Sequence, residues 1–535
     1  MHDVAFLLMA AASGHLIARA LGLPALPFLL LAGIAVGRFA GLSPAVVDET
    51  LVVGVTFLLF LDGMELDPRR VRPETRAATL VGAVQFLTLA GIGFLAGTAL
   101  AFERVEAAWV GLALAASSTL VCVRMLQKRR QMFEPFGRLV LGVLLVQDAL
   151  VLLTIPVLAG IHSGAAEALR GLGAVLALGA LGLVVRRWLA PALLRLADEP
   201  EPLMLAAFTV LFTFLGLGRL LELPTVVGAF LAGVALARFP VNSVLSSGLA
   251  PVGDFFSALF FTALGALLLV PTPAQLVEAL VLALVLPVVT VPVVAVLAER
   301  SGLTARSALT AGLLLSQTSE ISLVVGLSAM LAGHIGAGTF TVIALVTLVT
   351  MVWTPFLGSD RVAWSLLHRH PFRARHVGEA APEGHVLVVG VGATGMALLE
   401  DLVVAGADLV VVDEDPAVLA RLERAGVRTV RGDATDPAVL GRAGTPRARV
   451  VCSHLGRPRD AERLLAAAGS APVLVRVFDE EDAEWVRARG GTPFLYSRAS
   501  ADGLVEWYRE EREWLDERLG GRIDGAVLSR EDGSA

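Results

Sequence analysis

At 535 residues, 56% of them apolar and only 17% charged, the chain is too poor in charge to be a single soluble domain, which carries roughly 25%. A net charge of -6 without a basic stripe of interleaved aromatics argues against nucleic acid as a main partner, and two cysteines, Cys122 and Cys452, supply neither a disulfide framework nor a thiolate metal site. Apolar runs fill residues 1–357 while most Asp, Glu and Arg lie in 358–535, so the chain reads as a membrane domain followed by a soluble domain suited to a reducing cytoplasm.

The chain opens Met1-His2-Asp3 with no basic region, so the first apolar run reads as a retained span and not as a cleaved signal. A crossing helix needs about 20 largely apolar residues. Thirteen crossings are expected, near 4–21, 25–40, 48–66, 77–101, 107–126, 137–160, 172–194, 203–220, 224–239, 254–271, 275–298, 305–331 and 337–357. Loops after odd-numbered crossings carry Arg19, Arg69, Arg70, Arg72, Arg76, Lys128, Arg129, Arg130, Arg138, Arg186, Arg187, Arg195, Arg238, Arg300 and Arg306; loops after even ones carry only Arg38, Arg104, Arg170 and Arg219. Basic loops stay cytoplasmic, which puts the N-terminus outside and the C-terminal domain inside.

In the second crossing, Leu31-Ala32-Gly33-Ile34-Ala35-Val36-Gly37 recurs 200 residues later as Leu231-Ala232-Gly233-Val234-Ala235-Leu236-Ala237 in the ninth. Seven crossings separate the copies, so the second runs the opposite way: an inverted repeat, as in secondary transporters with a midplane site. The fifth crossing carries Ser117-Ser118-Thr119 and the twelfth Ser316-Gln317-Thr318-Ser319-Glu320 at the matching position. Hydroxyl and amide runs compete with a continuous helix, and freed backbone is tolerated at that depth only where it is buried in protein or lines a cavity. Two broken crossing helices aiming their ends at an ion are one reading; polar glue between helices is the other. Gln317 and Glu320, three apart, would share a helix face, and Glu320 would ligate the ion or organise the site.

The sixth crossing places Gln147-Asp148 near mid-depth, where a charged side chain costs at least about 2.5–3.5 kcal/mol. No Lys or Arg lies at comparable depth, so Asp148 reads as a functional acid, with a structural hydrogen bond as the alternative. Asp62, near the end of the third crossing, reads as interfacial, and His15 as a packing histidine. The absence of a Thr-Val-Gly-Tyr-Gly-like run weighs against a potassium channel.

In the soluble part, His385-Val386-Leu387-Val388-Val389 leads into Gly390-Val391-Gly392-Ala393-Thr394-Gly395, then a helical stretch from Met396 to Ala405, and a second strand from Leu409 ends at Asp413. Strand, GxGxxG, helix and an acid at that spacing form a dinucleotide fingerprint: Gly390, Gly392, Thr394 and Gly395 lie against a pyrophosphate, and Asp413 accepts from ribose hydroxyls. Further βα units follow, one of them carrying Gly432-Asp433-Ala434-Thr435, which adds Asp433 to the crevice. A Rossmann-like domain that pairs without binding nucleotide is the alternative.

Residues 4–495 resemble the monovalent cation:proton antiporter-2 family, in particular its Kef-type potassium efflux branch. The motifs that carry the likeness are Leu58-Leu59-Phe60-Leu61-Asp62-Gly63-Met64-Glu65-Leu66-Asp67-Pro68, Leu114-Ala115-Ala116-Ser117-Ser118-Thr119, Val143-Leu144-Leu145-Val146-Gln147-Asp148, Gly228-Ala229-Phe230-Leu231-Ala232-Gly233 and Gly312-Leu313-Leu314-Leu315-Ser316-Gln317-Thr318-Ser319-Glu320. The soluble part is similar to a regulator-of-potassium-conductance (TrkA-N) domain. The resemblance implies a polytopic α-helical membrane protein plus an α/β Rossmann-like cytoplasmic domain. It further implies a homodimer in a bacterial inner membrane, exchanging K+, favoured over Na+, for H+. Asp148, with Gln147, Ser118, Thr119, Gln317 and Glu320, would bind cation and proton in turn, and an adenine nucleotide such as NAD(H) or AMP would regulate. Domains are expected at 1–357, 385–498 and, as a C-terminal helix and tail, 499–535, with a linker at 358–384. Three departures stand out: Thr318-Ser319-Glu320-Ile321 replaces Gly-Gly-Glu-Phe, Asp62 replaces an aliphatic residue, and Thr290 stands where relatives tend to carry lysine, which leaves ion stoichiometry open. The short tail argues against glutathione gating. Rival functions are a nucleotide-gated cation channel and a membrane-anchored NAD-dependent oxidoreductase with His454 as its acid.

Overall fold

The computed structural model describes all residues except 1, 23, 66–74, 130, 133, 161–163, 194–199, 238–240, 369–381 and 511–535. Leu66, Asp67, Pro68, Arg69, Arg70, Arg72, Arg130, Arg195, Arg238 and the end of the expected C-terminal helix and tail therefore lie outside the described residues. The chain divides into two compact units, Met1–Ala374 and Arg375–Ala535.

Among its described residues the first unit's regular elements are all helices. It runs α1 (His2–Leu21), α2 (Ala25–Phe39), α3 (Pro44–Glu65), α4 (Thr75–Ala99), α5 (Arg104–Ala115), α6 (Thr119–Lys128), α7 (Pro135–Gly160), α8 (Ala165–Leu193), α9 (Pro200–Leu220), α10 (Thr225–Leu236), α11 (Val241–Leu267), α12 (Pro273–Arg300), α13 (Ala305–Leu314), α14 (Glu320–Leu331), α15 (Ala337–Leu357) and α16 (Asp360–His368). Among the described residues nine helices, with α5 and α6 joined as one, are long and apolar enough to cross a bilayer. The shorter apolar helices include α2, α10 and α14, and α2 and α10 are twins down to their starts, each following a proline, Pro24 and Pro224. Within the stretch read as linker, α16 packs on α13, its Leu367 clustering with Leu309 of α13 and Ala295 of α12. His15 departs from its expected packing role: it lies on an exposed face of α1, because the buried stripe of that helix is Leu7, Ala11, Gly14 and Ala18.

Two helix groups make up this unit. In one, α1, α2, α3, α8, α9, α10 and α11 pack on one another; in the other, α4, α5, α7, α12, α13, α14 and α15 do, and contacts of α7 with α8 and of α15 with α2 bridge them. The repeat is visible as two backbone crossings in the first group. A Cβ on Gly33 (α2) would stand 2.1 Å from the Thr262 carbonyl oxygen and 2.9 Å from Gly265 Cα (α11); one on Gly233 (α10) would stand 2.1 Å from the Phe60 carbonyl oxygen and 2.9 Å from Gly63 Cα (α3). In lipid no hydrophobic force joins helices, so such close approach between small residues supplies the packing.

In the second group an apolar cluster near the basic loops is separated from a larger one by a polar layer. Val81 of α4, Val143 and Leu144 of α7 and Val294 of α12 belong to the first cluster, while Phe86, Val151 and Leu286 of the same helices belong to the second. Between them lie Gln85, Gln147, Asp148 and Thr290, together with the ends of the four half-helices α5, α6, α13 and α14.

The second unit alternates strands and helices: β1 (Val386–Val389), α17 (Gly392–Val404), β2 (Leu409–Asp413), α18 (Pro416–Arg424), β3 (Arg428–Arg431), α19 (Pro437–Arg442), β4 (Val450–Ser453), α20 (Ala461–Ala467), β5 (Val473–Val477), α21 (Glu480–Arg487), β6 (Thr492–Leu495) and α22 (Tyr496–Glu510). All six strands are parallel, in the order β3-β2-β1-β4-β5-β6. Leu387, Val389, Val410 and Val412 face one core and Val388, Leu409 and Val411 the other. Burial on both faces is why β1 and β2 read as unbroken apolar runs. Strand order reverses between β1 and β4, which places a crevice at their carboxyl ends.

Candidate ion-binding crossing and nucleotide crevice

Both breaks form without glycine because hydroxyl side chains take over the backbone donors. Ser118 caps α6, its Oγ accepting from Val121 N at 3.3 Å; Ser319 caps α14, accepting from Ile321 N at 3.1 Å while Ser319 N donates to Ser322 Oγ at 3.1 Å. The two breaks are held by similar bonds. Ser117 N donates to Gln147 Oε1 of α7 at 3.0 Å, and its counterpart Thr318 N to Thr350 Oγ1 of α15 at 3.3 Å. Cys122 Sγ donates to the Leu314 carbonyl at 3.4 Å, and Ser322 Oγ to the Ala113 carbonyl at 2.5 Å. A further bond, Ser117 Oγ to the Leu315 carbonyl at 2.8 Å, ties break to break.

Two acids meet this frame. Glu320 is the first residue of α14, and its Oε2 accepts from Ser118 Oγ at 2.7 Å, so its carboxylate joins the N-terminal ends of α14 and, through Ser118, α6. Each such end carries roughly half a positive charge, so the carboxylate oxygens lie where backbone N–H groups point. Asp148, 5% exposed, accepts from Thr119 Oγ1 at 3.4 Å, a long bond that a bound ion would readily replace. Thr119 is the first residue of α6, so Asp148 also faces a helix start.

Of the six candidate ion-site residues, Asp148 pairs with Thr119, Ser118 with Glu320, and Gln147 holds the first break. Gln317 does not share a face with Glu320. The Ser319 cap ends the break just before Glu320, leaving Gln317 in the irregular stretch, where its Nε2 donates to the Leu314 carbonyl at 3.3 Å and reaches Cys122 Sγ at 3.5 Å. Asp62 is partly buried, one turn from the end of α3. Sequence reading missed Gln85, Thr347 and Thr350; the Thr318, Thr347 and Thr350 hydroxyls lie 3.1 Å apart around Thr318. The i, i+3 threonines on α15 were the available signal.

A cavity of about 510 Å³ opens between α3 and α10 on one side and α5, α7 and α14 on the other, lined by Asp48, Trp109, Ile155, Val226, Val324 and Leu327 among others. It lies at the end away from the basic loops. Ile155 is seven residues from Asp148, about 10 Å along α7, and Val324 is four from Glu320, about 6 Å along α14, so the cavity floor approaches the polar layer.

In the second unit the glycine loop sits at the β1 end of the crevice. Gly390 (φ +70°) and Gly392 (φ +50°) occupy left-handed backbone, and a Cβ added at Gly395 would stand 3.1 Å from a Val391 side-chain carbon and 3.8 Å from the His454 ring, so the first turn of α17 sits close against the end of β4. Of Thr394 only the backbone is among the described atoms. Asp413 Oδ2 accepts from Val391 N at 2.8 Å and Gly392 N at 3.4 Å, and Oδ1 from Asp415 N at 2.8 Å. A carboxylate offers about four acceptor sites, so at most one or two remain for ribose hydroxyls. Burial pushes Asp413 above the usual carboxylate range, against the pull of those amides. Asp433 Oδ1 accepts from Thr435 N and Oγ1, both at 2.8 Å, beside Gly432, whose N–H donates to the Asp413 carbonyl.

The β4 side holds residues not foreseen as ligand contacts. Among the described residues the Ser453 hydroxyl and His454 Nδ1 are buried without a hydrogen-bond partner, and Arg476 donates to the His454 carbonyl at 2.9 Å. Arg476 was legible as the lone basic residue in an otherwise apolar β5. Burial, reinforced by the Arg476 charge, pushes the His454 imidazole down to about 4, and burial also lowers His385. These histidines stay neutral in the fold while an unfolded chain takes up protons below pH ~6.5. The melting temperature of the soluble unit should therefore be level above pH ~6.5 and fall as pH drops toward 4, with a shallower fall in His454→Gln, as calorimetric scans at stepped pH will register.

Residues 4–358 match the family model for the sodium/hydrogen exchanger transmembrane domain, and residues 386–496 that for the TrkA-N domain. The chain is 29% identical over 522 residues to a glutathione-regulated potassium-efflux system protein KefC of Salmonella schwarzengrund (strain CVM19633), covering 93% of this chain and 83% of the relative. It is 30% identical over 461 residues to the KefC protein of Shigella flexneri serotype 5b, covering 83% and 73%. The sodium proton antiporter MjNhaP1 of Methanocaldococcus jannaschii shares the fold at a TM-score of 0.55 and 17% identity, over 69% of this chain and 99% of that one. A multi-pass helical domain with crossed broken helices, followed by a TrkA-N domain, identifies the chain as a member of the sodium/hydrogen exchanger family of cation:proton antiporters.

Proposed function

We propose that Asp148 is the carrier: it takes a monovalent cation or a proton in turn, K+ favoured over Na+, while the group containing α4–α7 and α12–α15 moves against the other. One observation carries this reading: a nearly buried carboxylate lies in a polar layer between two apolar clusters, where two broken helices cross and a cavity from one face approaches. Gln147 fixes the first break, Thr119 and Ser118 offer hydroxyls, and Glu320 stays engaged with both helix starts. The cation neutralises Asp148 as the proton does, and occupation by either removes the bare charge that would oppose movement through lipid. The names of the KefC relatives support potassium as the cargo; the glutathione regulation those names state is not carried over to this chain.

The loop asymmetry supports the N-terminus outside and the soluble unit in the cytoplasm, and the family resemblance supports a homodimer in a bacterial inner membrane. The cavity then faces outward. In the soluble unit an adenine nucleotide such as NAD(H) or AMP would lie on Gly390, Gly392, Thr394 and Gly395, with Asp413 and Asp433 beside its ribose, and would set the exchange rate. Calorimetry with NAD(H), AMP and ATP should register binding that Asp413→Ala weakens about tenfold, the loss of one charge-assisted hydrogen bond; no heat from any of the three would remove this part. For transport, a pH dye trapped in proteoliposomes should respond to K+ more than to Na+ or Li+. Cation flux without any proton movement would favour a nucleotide-gated channel instead.

A further inference from the structure

Two residues of the polar layer belong to neither broken helix nor to α7. Gln85 of α4 and Thr290 of α12 are fully buried, and among the described residues neither atom of the Gln85 amide nor the Thr290 hydroxyl has a hydrogen-bond partner. They occupy one neighbourhood. Gln85 is one turn beyond Val81 and Thr290 one turn before Val294, and those valines share an apolar cluster with Cys122, Leu314 and Leu315. Gly82 abuts the Val143 carbonyl and Val146 of α7, and Gly312 of α13 abuts Val291. Through the repeat, α4 and α12 are counterparts, so each half contributes one neutral polar residue.

Two glutamines of the crossing also leave an amide atom unpaired, Gln147 Nε2 and Gln317 Oε1. The unsatisfied set is thus balanced: donors on Gln85 and Gln147, acceptors on Gln85 and Gln317, and a hydroxyl able to do both. A cation would take only the acceptors. Water takes both, and buried water serves such groups in proteins.

We propose that Gln85 and Thr290 are positioning residues that hold buried water against Gln147 and Gln317, and that this water fixes the two breaks. Each glutamine is already tied at its other end, Gln147 Oε1 to Ser117 N and Gln317 Nε2 to the Leu314 carbonyl. Water behind them completes the amide and locks the backbone that faces Asp148. The inference rests on Asp148 as the carrier.

Gln85→Met and Thr290→Val keep shape and remove hydrogen bonding. In the full-length protein in proteoliposomes each should raise the KM for K+ about tenfold with the maximal rate within about twofold, and Thr290→Ser should restore it. Radiolytic labelling in 18O-water should mark peptides containing residues 81–86 and 290–294 in the parent protein and not in the variants. An unchanged KM, or an unlabelled parent, overturns the proposal. If Asp148→Asn is inactive while the Gln85 and Thr290 variants keep the parent KM, only the water falls; if Asp148→Asn exchanges normally, the carrier reading itself falls.

Discussion

Asp148→Asn should abolish cation-dependent proton exchange in proteoliposomes, by about two orders of magnitude or more, a loss of roughly 2.7 kcal/mol of coupling at the least. The amide keeps the size of the carboxyl group and can still accept from Thr119, so the protein should fold and insert normally. On the proposed carrier role, what disappears is the ability to be negative when empty and neutral when loaded. Glu320 cannot substitute, because its carboxylate is already committed to Ser118 and the start of α14. Parent-like exchange in a correctly inserted Asp148→Asn protein would refute the assignment. Dequenching of an entrapped pH dye on addition of K+, with and without an imposed voltage, makes the measurement and reports electrogenicity together.

Gly233→Val and Gly33→Val should each severely reduce the yield of folded protein, and to similar extents. Any side chain at Gly233 meets the Phe60 carbonyl, and at Gly33 the Thr262 carbonyl, both at 2.1 Å. Neither neighbour is the movable end of a flexible side chain. Separating the helices enough to admit a valine costs at least about 1–3 kcal/mol by overpacking and forfeits contacts along the whole crossing. Gly216, with nothing within 4 Å of an added Cβ, is the control: Gly216→Ala should be nearly silent. Fluorescence-detected size exclusion across the three variants measures the ranking, and a stable Gly233→Val protein would contradict the crossing.

The fold was legible where physical constraint leaves a mark on composition. Apolar runs of crossing length, the loop charge asymmetry and the recurrence around Gly33 and Gly233 carried the membrane unit, and the strand-GxGxxG-helix pattern carried the start of the sheet. Legibility failed where function depends on a partner distant in sequence. Gln85 looks like an ordinary polar residue in α4 until Thr290 is set beside it. Gln317 was placed on the face of Glu320 because three-residue spacing implies a helix, whereas Ser319 ends the irregular stretch and restarts the turn. Strand β6 escaped because Thr492-Pro493-Phe494-Leu495 has a proline in it, tolerated because β6 is an edge strand.

The twinned hydrogen bonds at the breaks carry one more consequence. Each half of the molecule holds its discontinuity by a similar scheme, which suits the proposed movement, in which the halves would exchange conformations. Mapping each helix onto its counterpart turns the walls of the cavity, α3 and α10 facing α5, α7 and α14, into α11 and α2 facing α13, α15 and α6. On the proposed movement, the seam between those helices, at the end bearing Arg19, Lys128 and Arg306, would be the doorway of the opposite state.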